Sequence, residues 1–157
     1  MLSANYLNRL VLPLMKKYDG QPNDNDLALA IATLLEHTAD HIKLDTGRSL
    51  NDIRKSIEAR YPDYKYLRAV AISTKHAIAD TIPGLEGQKN PLVEIQNIPR
   101  PIRTSGGTLR SGSGGVVMTN AGITSTFVFI DGKEIPVKKL LHASCVAISE
   151  EVKSASK

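Results

Sequence analysis

The chain has 157 residues, 20 Lys and Arg against 16 Asp and Glu, a net charge of +4 and a hydrophobic fraction of 41%. That size supports one globular core without metal or disulfide staples, and the composition excludes a disordered chain, a collagen and a disulfide scaffold. Cys145 is the only cysteine, so neither an intrachain disulfide nor a zinc site built from thiolates alone can form. Aromatics make up 4% and are all Tyr or Phe, which leaves Leu, Ile, Val and Ala to fill the core. No apolar run approaches the roughly 20 residues needed to span a bilayer. The apolar stretch from Tyr6 to Met15 is broken by Asn8 and Arg9 and has no small-residue cleavage site after it. A cytoplasmic protein with no membrane partner is expected.

The first half reads as helical. From Tyr6 to Tyr18 the residues Leu7, Leu10, Val11, Leu14, Met15 and Tyr18 recur at helical spacing, and Pro13 should kink or split the segment. Asp19-Gly20 with Pro22 then forms a turn. A second helix opens at Asp24 or Asp26 and runs toward Leu44, with Leu27, Ile31, Leu34, Leu35, Thr38 and Ile42 on one face. Ser49 and Asp52 have capping-box spacing and open a short helix through Ile53 and Ile57 that Pro62 ends. Asp63 is placed to cap a fourth helix, from Tyr64 to about Thr81, whose apolar face carries Leu67, Val70, Ala71, Thr74, Ala77 and Ile78.

From Pro83-Gly84 onward the pattern becomes β-like, and nine of the 11 glycines lie there, Gly84 included. Strand runs are expected over Leu92–Ile98, Gly115–Thr119 and Ile123–Ile130, the last with Phe127 and Phe129 on one side and Val128 and Ile130 on the other. Asp131-Gly132 is a two-residue hairpin turn, and Pro136 suits the first turn of a final helix with Val137, Leu140, Leu141, Ser144, Cys145, Ile148 and Val152 inward. The fold class is therefore α+β: mainly a helical bundle, with a small antiparallel β-sheet or hairpin insertion before the C-terminal helix. A single domain over 1–157 is expected, with a helical part at 1–82, a hairpin part at 91–135 and a packing helix at 136–153.

Between Ile95 and Ile130 there is no acidic residue, while Arg100, Arg103 and Arg110 all fall there. Without these three the chain has 17 basic against 16 acidic residues, or +1, so most of the excess charge belongs to one segment. Its centre, Arg103-Thr-Ser-Gly-Gly-Thr-Leu-Arg110-Ser-Gly-Ser-Gly-Gly115, combines guanidinium groups, hydroxyls and approachable backbone amides. Those are the ingredients of a phosphate or nucleic-acid backbone contact. Neither the Walker-type nor the dinucleotide-binding glycine fingerprint is present, and no aromatic is available for base stacking from Ile95 to Met118. A hairpin tip kept soluble by its arginines would have the same composition. The expected role is a non-catalytic interaction module that binds a protein or nucleic-acid partner through the basic loop, with no cofactor.

Two histidine arrangements suggest other chemistry. His37 and His41 are four residues apart and project from one edge of the second helix, as two metal ligands would, with His76 as a third. Thr38 stands where a zinc-protease motif requires Glu, so the metal reading is a hydrolase of another class. On the fourth helix, Arg68 and His76 could serve a phosphodiester cleavage, with the imidazole as acid or base and the guanidinium stabilising developing charge. Asp80, four residues after His76, could equally pair with it on a solvated face. Cys145 lies on the apolar side of the last helix and reads as a buried, inert thiol.

The helix bearing His37-Thr-Ala-Asp40, the later Lys75-His76 preceded by Tyr-Pro-Asp-Tyr, and the hairpin and final helix that follow resemble small uncharacterised helical proteins of bacterial and prophage genomes. These are similar to HEPN-like helical domains, which include toxin and defence-associated ribonucleases. The resemblance implies a metal-independent endoribonuclease that uses Arg68 and His76 and works as a homodimer, with a prophage or defence-related origin. The active pattern in that superfamily separates Arg from His by four to six residues. Here seven lie between Arg68 and His76.

Overall fold

The computed structural model describes residues 1–75, 94–100, 123–130 and 133–156. It is a helical bundle with a small antiparallel sheet inserted before the last helix. The chain opens with α1 (Leu2–Tyr6), a π-helical turn (Leu7–Val11) and α2 (Leu12–Gly20), which follow one another without a break. Pro13, expected to kink or split this segment, falls in the first turn of α2, directly after the wide turn. A proline lacks the N–H for the i−4 bond and crowds that carbonyl, and the looser π-turn accommodates it. The wide turn also corrects a drift in phase. Ser3, Leu7, Val11 and Met15 are all buried at steps of four, and each such step in a regular helix advances the stripe by about 40°. Widening one turn brings the stripe back toward the core.

The second helix, α3 (Asn25–Thr46), is the spine of the bundle. Asp24 caps it by accepting from the Leu27 amide at 2.9 Å. Leu27, Ile31, Leu35, Thr38 and Ile42 are buried as expected, and Leu34 is half-buried. Asp45, in its last turn, accepts from the Leu2 amide at 2.9 Å, the Ser3 amide at 2.8 Å and the Ser3 hydroxyl at 2.6 Å. One helix thereby caps the N-terminus of another, and these bonds, that of the Ser3 hydroxyl first, hold the Asp45 carboxyl below its usual range. Gly47 ends α3 in the left-handed region at φ 71°, its amide donating to the Lys43 carbonyl at 2.8 Å. A Cβ there would meet open space, so the cost of Gly47→Ala is conformational. We expect a loss of about 1 kcal/mol, read as a melting-temperature drop of roughly 2–4 °C in a chain of this size. An unchanged melting temperature would refute the cap.

Ser49 caps α4 (Leu50–Arg60), accepting from the Asp52 amide at 3.1 Å and donating to its carboxylate at 2.7 Å. The N-cap bond is the expected one, but the return bond of a full capping box is replaced: the shorter Asp52 carboxylate takes the Ser49 hydroxyl and not the Ser49 backbone N–H. Of α4, only Ile53 and Ile57 are buried. α5 is described over Tyr64–Lys75 and buries Tyr64, Tyr66, Leu67, Ala69, Val70 and Ala71. Its expected continuation through Ala77 and Ile78 lies outside the described residues.

The sheet has the order β1 (Glu94–Arg100), β2 (Ile123–Ile130), β3 (Lys133–Pro136), antiparallel throughout. The expected strand at Gly115–Thr119 lies outside the described residues. Ile130 pairs with Lys133, so only positions 131 and 132 connect β2 to β3, as a two-residue hairpin requires. Pro99 stands on the edge strand, where a missing donor is tolerated. Val128, Ile130 and Ile135 join the helical core, while Phe129 on the opposite side is half-buried. Pro136 ends β3 and serves as the N-cap residue of α6 (Val137–Ala155), one position earlier than a first-turn proline. Every residue expected on the inner face of α6 is buried, including Cys145. Among the described residues, no helix is long and apolar enough to cross a membrane.

Candidate functional site

The sheet is fixed to the bundle by specific polar contacts. The Thr126 hydroxyl, on buried β2, lies 3.0 Å from the Pro22 carbonyl and 2.6 Å from Asn97 Oδ1. Its single proton serves one of them at a time. Asn97 in turn donates to the Asn23 carbonyl at 3.3 Å, so both strands of the first hairpin hold the turn between α2 and α3. On the other edge, Lys133 Nζ donates to Tyr66 Oη at 2.8 Å, tying β3 to α5. The β1–β2 ladder ends where Arg100 pairs with Ile123. The segment 101–122 therefore leaves and re-enters the sheet at directly opposed positions of an anchored hairpin. Arg103 and Arg110 lie outside the described residues, and Arg100 is the last residue of β1.

Arginines of the helical body are used differently. Arg68 on α5 donates to Glu58 on α4 at 3.0 Å and is 12% exposed. Arg54 on α4 pairs with Glu36, which is buried on α3. Tyr64 lies fully buried beside these four charges. Its phenol is pushed well above its ordinary value, first by burial and then by Glu36, with Arg54 and Arg68 opposing. The Tyr64 hydroxyl, Arg54 Nε and Arg68 Nε are buried without a hydrogen-bond partner. Arg68, the guanidinium of the ribonuclease reading, is thus neutralised by Glu58 inside a packed three-helix contact. His76, the other half of that pair, lies outside the described residues.

The metal arrangement is also changed by its surroundings. His41 packs its ring against Tyr6, with centroids 4.1 Å apart and planes tilted by 33°, and its buried Nδ1 has no hydrogen-bond partner. Among the described residues, the side chains whose potential ligand atoms come within 4.8 Å of one another are Glu36, His37 and Asp40. They share one turn of α3. Glu36 already neutralises Arg54, and a guanidinium at that carboxylate opposes the approach of a cation. The third expected ligand, His76, is outside the described residues.

A second buried carboxylate, not expected from the sequence, lies on α6. Glu151 on α6 is 1% exposed and accepts from Ser56 Oγ at 2.8 Å and from the guanidinium groups of Arg48 and Arg60. A signal existed: Glu151 falls three residues after Ile148 and seven after Ser144, in phase with the apolar face of α6. An acid in that phase requires basic partners. Cys145 is buried, and burial pushes its thiol above the ordinary value while Ser149 opposes the shift. That is the direction of an inert thiol. Comparison with protein families, curated proteins and solved structures finds no match for the chain.

Proposed function

We propose that the protein is a non-catalytic interaction module that presents the segment carrying Arg100, Arg103 and Arg110 to a protein or nucleic-acid partner. The observation that carries this reading is the ladder end at Arg100 and Ile123 on a hairpin held to the bundle by Thr126, Asn97 and Lys133. A rigid base under both ends of a segment reduces the freedom lost on binding.

Charge supports the same reading. Arg48, Arg54, Arg60 and Arg68 are each paired with a glutamate, whereas Ile95 to Ile130 contains no acid with which its arginines could pair locally. Guanidinium, hydroxyl and glycine amide groups together favour phosphate oxygens over a carboxylate surface, which makes a nucleic-acid backbone the first partner to test.

The test is fluorescence anisotropy with random-sequence duplex and single-stranded probes across a salt series. Changing Arg100, Arg103 and Arg110 together to Ala should weaken binding at least tenfold and leave the melting temperature nearly unchanged. If all three contact duplex phosphates, the slope of log K against log salt should fall in magnitude by about 2.7. Binding unaltered in the triple variant would end this assignment. Capture of an acidic protein with the same arginine dependence, and no binding of nucleic acid, would identify a protein partner instead.

A further inference from the structure

The helical body leaves an open groove of about 440 Å³ along its outside, between α2 and α6. The two helices run in opposite directions there: Asp19, near the end of α2, meets Lys138 and His142 in the first turns of α6, while Met1 meets Ser156 beyond the end of α6. Met15 and Cys145 form the floor, each less than a tenth exposed. The walls are Leu12 and Val146, which are 41% and 60% exposed.

Val146 lies on the outward side of α6, where Lys139, Glu150 and Lys153 are exposed to solvent. The core gains little from an apolar side chain that it does not enclose. Two large apolar residues facing each other across a groove are therefore a surface prepared for something outside the fold. The π-turn ends directly before Leu12, and such turns are frequent at functional sites.

The charges around the groove define the occupant. Asp19 is already bound by His142 at 2.8 Å and Lys138 at 3.3 Å, and Glu150 reaches Arg60 at 3.8 Å. Lys16 and Lys153 also line the groove, one on each helix, and among the described residues neither has an ion-pair partner. The uncommitted charge is positive and stands on both sides of an apolar floor. We propose that the groove docks an acidic amphipathic helix of a partner protein, with its apolar face on Leu12, Met15 and Val146 and its flanking carboxylates on Lys16 and Lys153.

A furrow between two neighbouring helices suits a third helix that inserts side chains at i, i+3, i+4 and i+7. From Leu12 to Asp19 the α2 wall is about 10 Å long, enough for two turns of such a partner. The proposal is independent of the arginine segment that follows β1 in the chain.

The test uses the full chain, labelled with ¹⁵N, and a designed 18-residue helix with leucines on one face and glutamates on both flanks. A twin peptide carries lysine in place of glutamate. The acidic peptide should shift amide resonances of α2 and α6, and the double variant Lys16→Glu/Lys153→Glu should weaken it at least tenfold while binding the lysine twin more tightly than the wild type does. Val146→Asp, at an exposed position, should remove binding without lowering the melting temperature. The Arg100/Arg103/Arg110→Ala variant should bind the peptide as the wild type does. Equal affinity for the two peptides, shifts confined to other elements, or loss of binding in the arginine variant would overturn the proposal. So would a concentration-dependent dimer that Val146→Asp dissociates, since the groove would then belong to a second copy of this chain.

Discussion

Glu151→Ala is expected to destabilise the fold by about 3 kcal/mol, at the low end of the range for removing one partner of a buried ion pair. The carboxylate is 1% exposed and ties together three places: Arg48 in the connection after α3, and Ser56 and Arg60 on α4. Its removal strands Arg48 and leaves Arg60 with only the more distant Glu150 at 3.8 Å, but the two guanidinium groups are 40% and 31% exposed and recover part of their hydration, which places the cost at the low end. Burial, the largest single influence on Glu151, pushes its carboxyl up; the bonds from Arg60, Ser56 and Arg48 together outweigh burial and hold it below the usual Glu range.

A carboxyl with a lower pKa in the folded state stabilises fully above its unfolded value, and that contribution is lost as pH falls through the folded value. The stability difference between wild type and Glu151→Gln, measured by urea unfolding, should stay constant near neutral pH and shrink below about pH 4.5. A difference that persists undiminished at pH 2 would show that the charge of Glu151 contributes nothing.

The second large effect is expected from Ile57→Ala, at about 3 kcal/mol. α4 buries only Ile53 and Ile57, with Leu50 half-buried against the core, and its polar attachments are the ion pairs of Arg54, Glu58 and Arg60 with α3, α5 and α6 and the bond from Ser56 to Glu151. Removing one of its two buried anchors should therefore loosen α4 before the rest of the bundle. Amide hydrogen exchange should show protection falling first in Leu50–Arg60, with α3 and α6 less affected. Because Ile57 and Glu151 secure the same helix, the double variant should depart from additivity by more than 0.5 kcal/mol. Uniform loss of protection across α3, α4 and α6 would mean that α4 does not open as a separate unit.

Much of the fold was legible because its signals are short-range. Asp24 and Ser49 cap helices through bonds that span three residues, and the inner faces of α3 and α6 follow from spacings of three and four. The run at Ile123–Ile130, most of β1 and the two-residue turn between β2 and β3 were readable in the same way. The π-turn was not, since steps of four between Ser3 and Met15 look like an ordinary helical stripe until the drift in phase is followed. Of the candidate groups, Arg68 could be recognised as a basic residue on a helix; its neutralisation by Glu58 depends on how α4 and α5 pack. His41 could be placed near His37, but only the approach of α1 sets Tyr6 against its ring.

From the sequence alone came the α+β class, the order of the elements, the inward faces of the helices and the concentration of excess charge between Ile95 and Ile130. Helix caps, periodic burial and acid-free composition are properties of neighbouring residues, and hydrogen bonding and desolvation act on them locally. Tertiary structure decided which charges are already neutralised and which are left over. Glu151 meets partners 91 to 103 residues away, and Arg54 meets Glu36 across the α3–α4 connection. Coulomb attraction favours every opposite pair in the sequence, but only packing brings particular groups within a few ångströms and removes the water that would screen them. That selection commits Arg48, Arg54, Arg60 and Arg68 to glutamates of the helical body, and leaves Lys16 and Lys153 uncommitted beside an apolar groove.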